Sequence, residues 1–484
     1  SNNVAVGKNA LLANTTGTEN TGLGYLALAA NTTASYNTAL GSTALDANTT
    51  GASNTSVGQS SLSTNTTGGF NTAVGRLSMY ANTTGTENVA VGYAALDANT
   101  TASYNVAIGS AALSANTTGG SNIAIGAAAL DANTTASNNT AVGGAALGAN
   151  TTGDRNVAVG TYALDANTTS DANTAVGYNA LGSNTTAEIN TAIGFEALKL
   201  NTTGTANTAV GSGALDANTT ADYNTAVGQA ALGANTTGTS NVAVGYAALD
   251  ANTTAANNTS LGYNNLTANT TGSYNTAVGS SALGSNTTGD LNTAVGYQAL
   301  TTNVDGDRST AVGYQALYTQ EPASNVDMYN VMVGHIAGYG LTTGIRNTGV
   351  GAAVLQGTVT GNDNTALGYN GLTSNTSGQF NVGVGAYTLD ANTTGDENIA
   401  VGYNALTASV DGDGNIGVGN AAGYAVTTGS NNILIGKDAG RTGSPGGNVT
   451  TASNQLVLGD ENISSSNIQV DWTVASDERD KTDF

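Results

Sequence analysis

The sequence predicts an all-β protein whose chain winds as a parallel β-solenoid. Two observations predict this fold. A 17-residue unit recurs along almost the whole chain, and the unit is rich in Gly, Asn and Thr, residue types that disfavour helices. A helical repeat would also need about 30 or more residues to form two packed helices. Coils built from short strands therefore fit a unit of this length.

The motif Asn-x-Ala-Val-Gly defines the register of the repeat. Its glycine recurs every 17 residues from Gly7 to Gly313, resumes after a four-residue insertion from Gly334 to Gly436, and occurs last at Gly459. This makes 27 units in one register, so we expect about 27 coils. Within a coil we expect Asn-Thr-Ala-Val-Gly to form one short strand and Ala-Leu-Asp-Ala-Asn-Thr-Thr to form a second.

Two apolar positions recur and are the predicted core stripes. The residue before the motif glycine is always Val, Ile or Leu, as at Val6 and Leu458. The residue four after it is almost always Leu, as at Leu11, with Met79 as a replacement of similar size. Burying one Val and one Leu per coil gains much less free energy than ordering the coil costs. We therefore expect further burial against neighbouring chains, in an oligomer.

Composition and charge exclude several kinds of partner. The chain has 10 basic and 32 acidic residues, a net charge of -22, so it repels phosphate backbones and we expect no nucleic acid partner. No window approaches the 18 apolar residues of a membrane span, so we expect no membrane insertion. With no cysteine there is no disulfide framework or thiolate metal site. No cofactor is predicted.

Departures from the repeat suggest four regions. Residues 1–313 carry the regular repeats, and 314–436 carry repeats with the insertion and variant coils. Residues 437–475 hold an irregular loop, the last coil and a terminal strand, and 476–484 form a charged junction. We expect bulges or changes of cross-section at the insertion and in the Gly-rich loop.

In the variant coils the apolar anchor shifts by three residues. Gly338 and Gly423 replace the leucine, whereas Leu341 and Val426 replace the asparagine that follows three residues later. We therefore expect these two apolar side chains to take over the core position.

Asn-Thr-Thr begins at Asn14, recurs every 17 residues through Asn286, and returns at Asn392. Each copy is formally an N-glycosylation acceptor. The simpler interpretation is an asparagine ladder followed by threonines at a strand-to-turn junction. Regularly spaced threonines could alternatively order water as ice-binding surfaces do. Only one of the two threonine files could then face solvent, because adjacent strand residues point to opposite faces.

Acidic and aromatic residues also recur in register. Aspartate follows the leucine at Asp46, Asp97, Asp131, Asp165, Asp216 and Asp250. The calcium-binding signature Gly-Gly-x-Gly-x-Asp is absent, so we interpret these as solvated, mutually repelling edge positions. Tyrosine follows the motif glycine at Tyr25, Tyr93, Tyr178, Tyr246, Tyr263, Tyr297, Tyr314, Tyr369 and Tyr403. These rings could stack on sugars or simply pack over their neighbours.

The single histidine, His335, has no cysteine or carboxylate cluster near it in sequence, so no metal site is predicted.

The repeat resembles two families. Asn-x-Ala-Val-Gly-x-x-Ala is similar to the head repeats of trimeric autotransporter adhesins. The longer form Asn-Thr-Ala-Val-Gly-Tyr-x-Ala-Leu-x-x-Asn-Thr-Thr-Gly resembles the tail-fibre repeats of marine phages and related large viruses. The resemblance spans roughly residues 3 to 460. It implies a left-handed β-roll whose chains associate as homotrimers.

The last residues carry a second resemblance. The segment from Ser476 to Lys481, Ser-Asp-Glu-Arg-Asp-Lys, is similar to the Ser-Asp-x-Arg-x-Lys junction of the self-cleaving intramolecular chaperones of phage tailspikes and fibres. The resemblance implies that Ser476 is the nucleophile and Lys481 the base that activates it. The resemblance also implies that the body of the chaperone would follow Phe484.

The predicted function is the shaft of a trimeric viral or phage tail fibre, extracellular on the virion, that attaches to a host-surface receptor, for which glycans are one candidate class. The repeats combine no acid, base and nucleophile, so no enzyme activity is predicted beyond autocleavage at the junction. The alternative is the head of a bacterial adhesin on the cell surface, which predicts a coiled-coil stalk and membrane anchor downstream. Ice binding is a third class and predicts thermal hysteresis.

Overall fold

A computed structural model describes residues 2–357 and 359–465. The chain divides into two compact units, Ser1–Met328 and Tyr329–Phe484. The described residues contain 27 strands of three residues, one in each repeat unit. In the first unit the strands are β1 (Val4–Val6), β2 (Thr21–Leu23), β3 (Thr38–Leu40), β4 (Thr55–Val57), β5 (Thr72–Val74), β6 (Val89–Val91), β7 (Val106–Ile108), β8 (Ile123–Ile125), β9 (Thr140–Val142), β10 (Val157–Val159), β11 (Thr174–Val176), β12 (Thr191–Ile193), β13 (Thr208–Val210), β14 (Thr225–Val227), β15 (Val242–Val244), β16 (Thr259–Leu261), β17 (Thr276–Val278), β18 (Thr293–Val295) and β19 (Thr310–Val312). In the second unit they are β20 (Val331–Val333), β21 (Thr348–Val350), β22 (Thr365–Leu367), β23 (Val382–Val384), β24 (Ile399–Val401), β25 (Ile416–Val418), β26 (Ile433–Ile435) and β27 (Leu456–Leu458).

Within each unit, every strand pairs in parallel with the strand of the next coil. The pairing is in register, so that Thr174 lies opposite Thr191 and Val176 opposite Ile193. The same one-coil offset holds at the start and the end of the first unit and through the second. The predicted all-β parallel β-solenoid with 17-residue coils is confirmed.

The predicted second strand is wrong. In the segment after the motif glycine, residues with positive φ alternate with others, as at Tyr162 (φ 60°) and Leu164 (φ 52°). Residues 161–166 form turns, and a left-handed residue such as Leu164 cannot belong to an extended strand. Its backbone is nevertheless paired with a neighbouring coil, since the Leu164 N–H donates to the Ala180 carbonyl at 3.0 Å. Bonds between coils thus replace a strand ladder and satisfy the backbone polar groups.

The motif glycine is required where each strand ends. Gly160 has φ 137°, and a Cβ there would lie 2.6 Å from the carbonyl carbon of Gly177, the equivalent glycine one coil further on. The backbones of successive coils therefore meet at these glycines with no room for a side chain. This close approach explains why the glycine occurs in every unit.

Only one of the two predicted apolar stripes lies in the core. The leucine stripe is fully buried, as at Leu164. The aliphatic residue before the motif glycine instead lies on the outside of the chain, and Val159 is 36% exposed. Side chains alternate along a strand, so burial of the central Ala158 places its two neighbours outward. The alanines beside the leucine stripe, such as Ala163, complete the apolar core.

The shifted anchors of the variant coils are confirmed. Leu341 and Val426 are fully buried at the position that asparagine occupies in other coils. Leucines of the two adjacent coils fill the space left by the missing leucine at Gly423. A Cβ there would lie 2.5 Å from Leu406 and 2.8 Å from Leu434. Apolar volume is thus exchanged between neighbouring coils.

The two irregular stretches form surface excursions. Within the insertion, residues 323–327 are exposed, while Gln320 is fully buried and its Nε2 donates to the Oδ1 of Asn303 at 3.1 Å. The coil between β26 and β27 spans 23 residues instead of 17. Asn431 and Asn454, which are 23 residues apart, occupy equivalent positions, and their side chains are hydrogen-bonded to each other. The extra residues are therefore accommodated without interrupting the interior.

Candidate interaction surfaces

The asparagines of the Asn-Thr-Thr segments form an interior ladder. Asn150 is fully buried, and its Nδ2 donates to the Oδ1 of Asn133 at 3.2 Å and to the Gly153 carbonyl at 3.0 Å. Its Oδ1 accepts from the Nδ2 of Asn167 at 2.9 Å. The predicted ladder is confirmed. A glycan on such a side chain would require breaking these bonds and exposing a buried amide.

A second asparagine ladder runs through the first residue of the strand motif, and sequence reasoning missed it. The Asn173 N–H donates to the Oδ1 of Asn156 at 2.9 Å, and the Asn173 Nδ2 donates to the Ala187 carbonyl at 2.9 Å. The signal was present, because this residue is Asn in every unit except at Ser309 and Gln455. Half-polar interiors of this kind are stable only when each amide is paired.

The two threonines of each segment have different environments. The Thr151 hydroxyl donates to the Thr168 carbonyl of the next coil at 3.0 Å, whereas Thr152 is exposed. The same division recurs at Thr66 and Thr67. One threonine file therefore faces solvent, as predicted, and the other belongs to the hydrogen-bond network between coils.

The aspartates after the leucine stripe are half-buried, at positions that leave part of each carboxyl in solvent. Asp131 and Asp165 lie on either side of Gly148, where a Cβ would be 3.6 Å and 2.9 Å from their respective Oδ1 atoms. Burial raises the pKa of both carboxyls, and the charge of Asp131 further raises the pKa of Asp165. Within the described residues, no three His, Asp or Glu side chains converge on a position for a metal ion.

The tyrosines after the motif glycine form an exposed file, hereafter the tyrosine file. Tyr246 and Tyr263 stack with ring centroids 5.4 Å apart and planes 13° apart, and Tyr297 and Tyr314 do the same. Each ring remains about half exposed. The tyrosine rings therefore pack over one another, and each still has an outward surface that a ligand could contact.

The outward side chains of the strands form what we call the strand face. It consists of the first and third residues of each strand, a mixture of Val, Ile, Leu and Thr. Ile193 is 41% exposed and Leu261 48% exposed. Ile123 and Ile125 of β8 are both exposed. Within each unit, the aliphatic residues of successive coils lie side by side and form an apolar stripe in the isolated chain, a feature typical of interfaces.

The predicted catalytic residues Ser476 and Lys481 lie outside the described residues, as does the predicted terminal strand at 467–474. The described part of the chain contains no helix that is long and apolar enough to cross a membrane. No known protein-family model and no curated protein sequence matches this chain.

Proposed function

We propose that the chain is the shaft of a trimeric viral or phage tail fibre that attaches to the host cell surface. The observation that carries the proposal is the strand face. A soluble chain with a net charge of -22 would gain nothing from keeping β-branched aliphatic residues half exposed in coil after coil. Burial between copies of the same chain would account for them.

The energetic argument is additive. Covering a half-exposed valine gains only part of the 1.5–3 kcal/mol or so that full burial of such a side chain provides. The strand face, however, offers at least one aliphatic residue in every coil. Small gains repeated along parallel chains add up to a stable interface, and most soluble homo-oligomers have closed point-group symmetry. Three chains and a left-handed coil are the arrangement that the family resemblance implies.

The mechanism of such a fibre is mechanical and multivalent. Stacked coils, each bonded to the next through backbone and asparagine ladders, resist bending and local unfolding. Three identical chains would present each surface feature three times, so that weak contacts with a receptor combine through high effective concentration.

The mass of the chain in solution tests the proposal. Light scattering should give three times the 47.4 kDa chain mass. A stable monomer would overturn the proposal, and a monomer that shows thermal hysteresis would favour ice binding by the exposed threonine file. A bacterial adhesin head would also be trimeric. The coding sequence downstream of residue 484 separates the two, because the fibre predicts a chaperone there and the adhesin a coiled-coil stalk.

A further inference from the structure

We propose that a depression in the first unit, between the coils of β12 and β15, is a binding site for an uncharged glycan. The inference rests on the proposed attachment function, for which it names a ligand class and a location. The depression is shallow and open to solvent, with a volume of about 490 Å³. Phe195 and Glu196 lie at one end, Asp250 at the other, and Gln229 between them.

The floor of the depression lacks large side chains. The second position after the motif glycine is Gly213 and Ala230 in the two coils that form it. Alanine is common at this position, as at Ala111, whereas some coils carry a long side chain there, as at Gln298. Phe195 borders this open floor on one side.

One wall is an aromatic ring held in place from behind. Phe195 stacks on Tyr178 with centroids 5.6 Å apart and planes 13° apart. Tyr178 covers one face of the Phe195 ring, and Phe195 itself lines the depression and is 55% exposed. A preorganised aromatic face is the group on which the C–H side of a sugar ring packs.

The polar groups around the depression suit hydroxyls. Gln229 provides an amide, and Asp216 and Asp250 provide acceptors. Glu196 is already paired with Lys199 at 3.0 Å. The remaining carboxylates repel anions, which disfavours sialylated or sulfated glycans and phosphates. A cationic ligand would favour a cage of several rings, whereas a single ring over a shallow Gly and Ala floor fits a neutral pyranose.

Two variants with matched controls test the site. Ala230→Gln fills the depression with a residue that this register already tolerates, and Ala111→Gln places the same side chain at the equivalent position of another coil. Phe195→Ala removes the wall, and Tyr263→Ala removes a comparable stacked ring elsewhere. The intact chain is applied to an array of neutral hexose and N-acetylhexosamine oligosaccharides beside sialylated ones. The glycans that bind are then titrated by calorimetry, with spermine as a cationic comparison.

We expect a neutral glycan to bind, Phe195→Ala to weaken it about tenfold, Ala230→Gln to abolish it, and both controls to bind normally. Binding of spermine alone, of sialylated glycans alone, or of no glycan would overturn the site. Binding unaffected by Ala230→Gln would also overturn it. These results are separate from the light-scattering mass: a trimer that binds no neutral glycan contradicts only the site, and a monomer that binds one contradicts only the trimeric fibre.

Discussion

Asparagine side chains fill much of the interior of this protein, where most folds place hydrocarbon. A typical coil buries one leucine with a few alanines and two asparagines. The arrangement is stable because amide groups repeated at the coil spacing can both donate and accept along the stack, so that each Nδ2 and Oδ1 finds a partner. A break in the ladder shows the same dependence on stacked asparagines. Among the described residues the Oδ1 of Asn392 lacks a partner, because Ser409 replaces the next asparagine.

We predict that Asn150→Ala lowers the free energy of unfolding by roughly 2–4 kcal/mol. The change leaves the Asn133 Oδ1 without its donor and one Asn167 N–H without its acceptor, and a buried unpaired polar group costs about 1–3 kcal/mol. Chemical denaturation followed by circular dichroism measures the shift. The exposed Thr152→Ala should change stability by no more than about 0.5 kcal/mol. Equal effects of the two variants would contradict the ladder.

At the scale of the coil, two kinds of connection hold neighbours together. The three-residue strand pairs in the ordinary parallel manner, and the remainder of the coil consists of turns and loops, some of their residues left-handed, that bond to the adjacent coils. Non-glycine residues such as Leu164 are held at positive φ by bonds to the adjacent coils, which offset a conformational cost of about 1–3 kcal/mol per residue.

The motif glycine provides the test at this scale. Gly160→Ala should destabilise the chain by more than about 3 kcal/mol, because the new Cβ would collide with the Gly177 backbone while φ is unfavourable. Gly144→Ala is the matched control, since a Cβ there meets only the Thr161 methyl at 4.0 Å. Thermal unfolding of both variants measures the difference. A Gly160→Ala protein as stable as the control would show that the coils do not approach each other as closely as described.

At the scale of the whole molecule, stability is a sum of similar contacts between successive coils. Repeat proteins of this kind gain stability from each nearest-neighbour interface rather than from one central core. Local departures from the repeat affect only one or two neighbouring coils. Examples are the buried Gln320 and the packing of Leu434 into the space at Gly423. The same repetition that builds the interior also builds the strand face on the outside, and the proposed assembly depends on that surface.

We predict that the combined variant Val159→Lys, Val176→Lys and Ile193→Lys weakens self-association. Three cations on successive coils of the strand face would have to lose hydration on burial between chains. Light scattering across a dilution series should show dissociation at higher protein concentration than for the unchanged chain.

The matched control places three lysines on the exposed threonine file, by Thr152→Lys, Thr169→Lys and Thr186→Lys. It carries the same repulsion between neighbouring coils but leaves the strand face intact, so its mass should not change. Circular dichroism establishes that both variants fold. If the control dissociates as readily as the strand-face variant, the interface lies elsewhere.

The sequence by itself determined the coil length, the number of units, the in-register parallel stacking, the leucine stripe and the first asparagine ladder. Identical residues at a fixed spacing can all be satisfied at once only if they stack on one another, so the period alone defines these features. The shifted anchors at Leu341 and Val426 followed from the same reasoning.

Only the tertiary structure decided which way the remaining residues face. The aliphatic residue of the strand motif turned outward because the central alanine points inward, and the supposed second strand became a series of turns with a left-handed leucine. Side-chain type does not encode this backbone, since Leu and Ala ordinarily avoid positive φ. It exists because the adjacent coils provide hydrogen-bond partners in that geometry, a condition that arises only once the coils have stacked.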